Sequence, residues 1–231
     1  MAQLDFSAVF SGEFRDWLIS GFLLSLRLMV MTLALALPLG AAIALCRLSS
    51  VAALRWFGAA SVEGIRNIPL LMHLLFWYFA MPELLPAAAR DWLNTHGAET
   101  ICAVIALTLY TSSYIAEDVR SGIRAVPATQ LEAARALGFG YLVSMRRIVL
   151  PQAVRITIPP LISQTLSLWK NTSIATVIGT AELMYQAQRV ETASFRGVET
   201  FVLVTVAYLG VSLIITGAAS WFQHRFPVRA S

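Results

Sequence analysis

The chain has 231 residues, 58% of them hydrophobic and 13% charged, with mean hydropathy +0.70 and a formal net charge of +4. Soluble domains carry roughly 25% charged residues, so this composition excludes a soluble globular enzyme; it equally excludes disorder, which needs low hydrophobicity and high charge. No dense basic run exists to track a phosphate backbone, so nucleic acid is not an expected partner, and what remains is a polytopic membrane protein forming one domain over 1–231.

The first 17 residues include Asp5, Glu13, Arg15 and Asp16, the wrong pattern for the basic start of a cleavable signal peptide. Five stretches then read as membrane-spanning helices, at about 21–46, 66–82, 100–117, 156–181 and 200–224. The first contains Arg27, which is expected to snorkel to an interface. The fourth is interrupted once, by Lys170, and carries Pro159 and Pro160 upstream of it. Cys46 and Cys102 are read as small apolar packing residues.

An odd number of spans puts the termini on opposite sides, and the arginines choose which. With the N-terminus outside, the inner segments hold Arg47, Arg55, Arg66, Arg120, Arg124, Arg135, Arg146, Arg147, Arg155, Arg225 and Arg229. The outer segments hold only Arg15, Arg90, Arg189 and Arg196. The excess of basic residues on one side predicts an outer N-terminus and a cytoplasmic C-terminus.

The inner connection, 118–155, is too ordered in composition for a linker. Thr129 and Glu132 have the spacing of a capping box, Leu131 to Leu137 supplies good helix formers, and Gly138 can end the helix in a left-handed conformation. A helix of about two turns is therefore expected there, braced by Pro127, followed by a second helical piece over Tyr141 to Val149 that leads to Pro151.

From Glu132 the connection reads Glu132-Ala133-Ala134, three residues, Gly138, nine residues, then Ile148-x-Leu150-Pro151. This resembles, at every defined position and spacing, the EAA loop of the permease subunits of binding-protein-dependent ABC importers. Arg66-Asn67-Ile68-Pro69-Leu70 resembles the family's R-x-x-P-L motif. Tyr114-x-x-Glu117-x-x-Arg120-x-Gly122-Ile123 resembles the end of its third helix, and Lys170-Asn171-Thr172-Ser173, with Ile178-Gly179 and Glu182-Leu183 after it, a segment of its fourth. The resemblance runs from about residue 20 to 225. It is to the polar amino acid branch, and through Glu63-x-x-Arg66-Asn67 and Pro82-Glu83-Leu84-Leu85-Pro86 most of all to glutamate/aspartate permeases.

The resemblance implies an all-α fold of the type I ABC importer permease: five transmembrane helices and a cytoplasmic coupling helix that docks on a separate ATPase. Glu132, Ala133, Ala134, Gly138, Ile148, Leu150 and Pro151 are then the coupling residues. The implied partners are a dimer of ABC ATP-binding subunits, a second permease subunit (the same or a similar chain), an extracytoplasmic amino-acid-binding protein, and the lipid of the bacterial inner membrane. No cofactor is implied in this chain, since ATP belongs to the partner subunit.

Residues within or closing the spans point to a substrate pathway, because an uncompensated charge at mid-membrane costs about 2.5–3.5 kcal/mol on insertion scales and so faces protein or water. Lys170, with Asn171, Thr172 and Ser173 after it and the two prolines before it, reads as part of a broken helix lining a cavity. Two readings stand for Lys170: it holds a substrate carboxylate, or it pairs with an acidic group such as Glu117 or snorkels. Glu117 is likewise either an interfacial partner of Arg120 or Arg124, or a gating contact.

Enzyme chemistry is not expected. There is no phosphate-binding G-x-x-x-x-G-K-[ST], no G-x-S-x-G, no H-E-x-x-H and no Cys-x-x-Cys. His73, His96 and His224 are scattered, so no metal site is expected either. The alternative to an ATP-driven permease is a secondary transporter or channel subunit driven by an ion gradient.

Overall fold

The computed structural model describes residues 4–225; Arg229, assigned above to the inner side, lies outside them. All regular structure among the described residues is helical. A single turn, α1 (Phe6–Val9), is capped by Asp5, whose carboxylate accepts from the Ser7 hydroxyl at 2.6 Å and the Ser7 amide at 3.1 Å. The hydroxyl bond in particular holds the Asp5 carboxyl below its usual range. The long α2 (Gly12–Leu48) and the amphipathic α3 (Ala52–Arg66) follow. The next segment starts with α4 (Leu70–Leu75), widens to a π turn at Phe76–Ala80 and tightens to a 3-10 turn at Met81–Leu84. α5 (Ala87–Thr95) and α6 (Ala98–Arg124) come next, then α7 (Ala128–Ala136). An unbroken helical run begins with α8 (Tyr141–Ser144), passes a π turn at Met145–Val149 and continues as α9 (Leu150–Asn171). A 3-10 segment at Thr172–Ile178, α10 (Leu183–Ser194) and α11 (Gly197–Arg225) complete the fold.

α2 is apolar all round, so side-chain size rather than amphipathicity selects its inward face. Gly21, Ser25, Leu28, Thr32, Ala36, Gly40 and Ala44 recur every three or four residues and are all buried. Small residues let helix backbones approach closely, the main source of helix association in lipid. A Cβ on Gly40 would stand 2.6 Å from Ile115 Cγ2 and 2.8 Å from the Ser112 carbonyl oxygen, so α2 and α6 touch backbone to backbone. Leu28 clusters with Ala103 and Leu107, and Ala44 with Ala116, which sets the two helices running in the same sense. α9 runs in the opposite sense beside them, with Thr157 filling the space over Gly122 and Gln164 donating to Asp118.

Three described helices are long and apolar enough to cross a membrane: α2, α6 and α11. The segment Leu70–Leu84 is apolar but shorter, and α9 carries Gln152, Arg155, Gln164 and Lys170 along its length. α11 exposes Val198, Val202, Val206, Leu209, Leu213 and Ile214, a surface that water would not tolerate.

Several expectations change. The connection before the second apolar stretch is itself a helix, α3, and that stretch starts at Leu70 because the chain turns at Asn67 and Pro69. The segments assigned to the outer side hold α5 and α10. Pro159 and Pro160 do not interrupt α9; the break falls later, where the 3-10 segment ends at Gly179 with φ of +81°. The Thr129–Glu132 capping box is absent, since Pro127 occupies the cap and Thr129 already lies inside α7. Pro127 enters the helix with its fixed φ, and its carbonyl accepts from the Gln130 amide at 3.0 Å. Trp169 is fully buried, and its Nε1 donates to the Tyr208 carbonyl at 3.1 Å.

Candidate functional site

α6 and α9 present polar stripes to each other. Tyr110 and Thr111 are neighbours on α6 with Tyr114 one turn on, and Gln164, Ser167 and Asn171 follow i, i+3, i+7 spacing on α9. With Leu168 they line a cavity of about 250 Å³. Its walls are hydroxyls and amides. The Tyr110 and Tyr114 hydroxyls are 3.1 Å apart, and Gln164 Nε2 donates to Asp118 Oδ2 at 2.9 Å, which orients the amide with its oxygen free for a donor. Such a lining can bind ammonium and carboxylate groups without supplying a full charge of its own.

A second cavity of about 320 Å³ lies toward the end of α6 that carries α7. Arg47, Val62, Glu63, Arg66, Asn67, Tyr114 and Glu117 line it. Glu117 is held between two guanidiniums. Arg47 Nη1 lies 2.5 Å from its Oε2, while Arg120 engages both oxygens, with Nε 3.0 Å from Oε2. This ties the end of α2 to α6. Of the two roles open for Glu117 pairing is what the contacts show, with Arg47 as the partner that sequence reasoning missed.

The residues at 170–173 part company. Asn171 lines the first cavity. The Thr172 hydroxyl donates to the Trp169 carbonyl at 2.8 Å and the Ser173 hydroxyl to the Lys170 carbonyl at 2.7 Å, so both serve the backbone of the 3-10 segment. Lys170 is exposed, lies outside the lining, and has no ion-pair partner among the described residues; Glu117 does not reach it. The cavity residues Tyr110, Gln164 and Ser167 were not singled out from sequence. Their signal was there, as a polar i, i+3, i+7 stripe inside an apolar span.

Next to α9, residue 182 closes a separate network. Glu182 is fully buried and accepts from the amides of Met184 at 3.0 Å and Tyr185 at 2.9 Å, capping α10. The Ser25 hydroxyl also donates to it at 3.3 Å.

The 128–151 segment is built to be stiff. Gly138 has φ of +81°, its amide donates to the Arg135 carbonyl at 2.9 Å, and the Phe139 amide donates to the Ala134 carbonyl at 3.0 Å. That pairing is a Schellman ending, for which glycine is the natural residue. Ala134 is buried where α7 lies against Met145–Val149, while Glu132 and Ala133 face outward. Around Gly138 the segment exposes Leu137, Phe139, Tyr141 and Leu142, an apolar patch next to Arg135. Ile148 is half-buried, and Leu150 and Pro151 form the first turn of α9. Among the described residues no group of acidic, histidine and cysteine side chains is arranged to hold a metal.

Comparison with known proteins gives the following. Residues 36–227 match the model of the family described as binding-protein-dependent transport system inner membrane component. Over 205 residues the chain is 40% identical to a probable glutamine ABC transporter permease protein of Bacillus subtilis (strain 168), covering 89% of this chain and 91% of that one. Over 203 residues it is 30% identical to a glutamate/aspartate import permease protein of Escherichia coli (strain K12), covering 86% and 82%. A chain in the crystal structure of an amino acid ABC transporter with histidines superposes with a TM-score of 0.86 at 29% identity, covering 96% of this chain and 99% of that one.

Proposed function

The chain belongs to the family of binding-protein-dependent transport system inner membrane components, and from that membership we propose that it passes polar amino acids inward as the permease subunit of an ATP-driven importer. It is not an enzyme; its relatives are permease subunits. The observation that carries the reading is the polar cavity between α6 and α9, joined by α9 to the segment at 128–151. In this reading the chain crosses the inner membrane five times as a single permease domain. α9 and Leu70–Leu84 are the fourth and second crossings, with the N-terminus outside. The shared sense of α2 and α6 and the opposed sense of α9 support that alternation.

α7 and the exposed patch around Leu142 are the surface for the ATP-binding subunit. Glu132, Ala133, Ala134 and Gly138 shape it, while Ile148, Leu150 and Pro151 join it to α9. ATP is held by that partner. The exposed apolar face of α11 supports a second permease subunit or lipid as its cover.

For the substrate, the neutral amide and hydroxyl lining favours a side-chain amide over a carboxylate, and the glutamine relative is the nearer of the two reported. The leaning of the edge motifs toward glutamate and aspartate has no acidic-side-chain partner in the cavity, since Lys170 lies outside it. The decisive test is ATP-driven uptake by proteoliposomes holding the permease, its ATPase and its binding protein. Labelled glutamine should accumulate, and excess unlabelled glutamate should compete weakly. Uptake that persists on an ion gradient without ATP overturns the reading.

A further inference from the structure

The two polar cavities have one lining residue in common, Tyr114. Tyr114 is thus the residue at which the cavity by Asn171 and the cavity by Arg47 meet. The guanidinium of Arg66 lies over the Tyr114 ring, with Cζ 4.7 Å from the centroid, and the Tyr110 ring packs against it, tilted by 47°, with centroids 5.0 Å apart. Both partners are themselves positioned. His73 Nε2 donates to the Ile65 carbonyl at 3.0 Å, fixing the residue before Arg66, and the same imidazole meets the Tyr110 ring edge-on at 5.9 Å. A single histidine therefore sets the end of α3 and the aromatic pair of α6 against each other.

We propose that Tyr114 and Arg66 form the inner gate of the pathway: the stacked pair separates the mid-helix cavity from the cavity on the α7 side, and substrate passes when Arg66 leaves the ring. The gate rests on the transport role proposed above. Three features suit the pair to the task. A cation over an aromatic face is a contact of modest strength that helix movement can break. Arg66 is exposed at the last turn of α3, followed by Asn67 and Pro69, so it can swing without disturbing a packed core. Once released, its charge lies in a cavity wall beside the route of a substrate carboxylate, with Glu117 across from it already neutralised by Arg47 and Arg120.

The test measures access. In the assembled transporter, with Cys46→Ser and Cys102→Ala as background, Ser167→Cys places a thiol in the mid-helix cavity. A membrane-impermeant maleimide is applied from the side carrying α7, without nucleotide. Labelling should be slow in this parent and equally slow with Tyr114→Phe, which keeps the ring. It should accelerate about tenfold or more with Tyr114→Ala, which removes the partition, and about threefold or more with Arg66→Ala, the loss expected for one cation–π contact. Arg66→Ala, at an exposed position, keeps the test decisive if Tyr114→Ala fails to assemble. Fast labelling in the parent, or no acceleration in either variant, overturns the gate. Saturating glutamine in the same assay separates the two readings: acceleration without protection of Ser167→Cys by any amino acid sinks the substrate cavity and keeps the partition, and protection without acceleration does the reverse.

Discussion

The Tyr208 hydroxyl donates to Glu182 Oε2 at 3.1 Å, joining α11 to the residue that caps α10 inside the protein. Ser25 of α2 and the amides of Met184 and Tyr185 complete the shell of this carboxylate, so one side chain holds three helices. Glu182→Ala should be strongly destabilising, because each buried donor left without an acceptor costs about 1–3 kcal/mol. Glu182→Gln keeps one acceptor oxygen and should be milder. Thermal unfolding of the detergent-solubilised complex orders the three proteins; equal Tm for Glu182→Ala and the parent contradicts the assignment.

Gly40 and Gly64 make opposite predictions from the same substitution. An alanine at 40 forces Ile115 and the Ser112 carbonyl away from α2, whereas at 64 nothing lies within 4 Å. Gly40→Ala should lower Tm by several degrees and reduce assembled complex. Gly64→Ala should be neutral or slightly stabilising, by up to about 1 kcal/mol from helix propensity.

At Gly138 a Cβ also meets nothing, so only backbone strain and charge are at issue. Left-handed backbone costs a non-glycine residue about 1–2 kcal/mol. Gly138→Ala should weaken uptake, while Gly138→Asp, which adds charge beside the exposed apolar patch, should abolish it with the protein still present in the membrane. Normal ATP-driven uptake by Gly138→Asp would show that this turn does not serve docking.

The cavity residues should separate from their neighbours in the chain. Gln164→Ala and Asn171→Ala each remove one wall group and should raise the half-saturating amino-acid concentration for stimulated ATP hydrolysis about three- to tenfold, the worth of a hydrogen bond. Lys170→Met, outside the lining, should leave it unchanged. Thr172→Val should lower Tm without moving the half-saturation, since its hydroxyl serves the Trp169 carbonyl.

The legible parts of this protein were those written as local spacing. The turn at Gly138 and the helix before it follow from Glu132-Ala133-Ala134 and the glycine four residues on, and the apolar runs locate α2, α6 and α11. α3 was hidden because an amphipathic helix, with Arg55, Glu63 and Arg66 among apolar residues, looks like a charged connection. The roles of Glu117 and Glu182 depend on Arg47 and Tyr208, which lie 70 and 26 residues away. No spacing rule pairs such residues; only the close approach of helices through Gly21 and Gly40 does. Lys170 drew attention by its charge, and Asn171 was singled out with it, while the uncharged Gln164 and Ser167, which share the wall with Asn171, were passed over.

From Tyr141 to Asn171 the backbone never leaves helical geometry, a rod of about 45 Å at 1.5 Å per residue. Whatever tips Leu142 also tips Asn171. A lean of about 5° swings the far end of such a rod by about 4 Å, more than the width of a hydrogen bond. In the transport role proposed above, that lever makes release and stroke two ends of one oar.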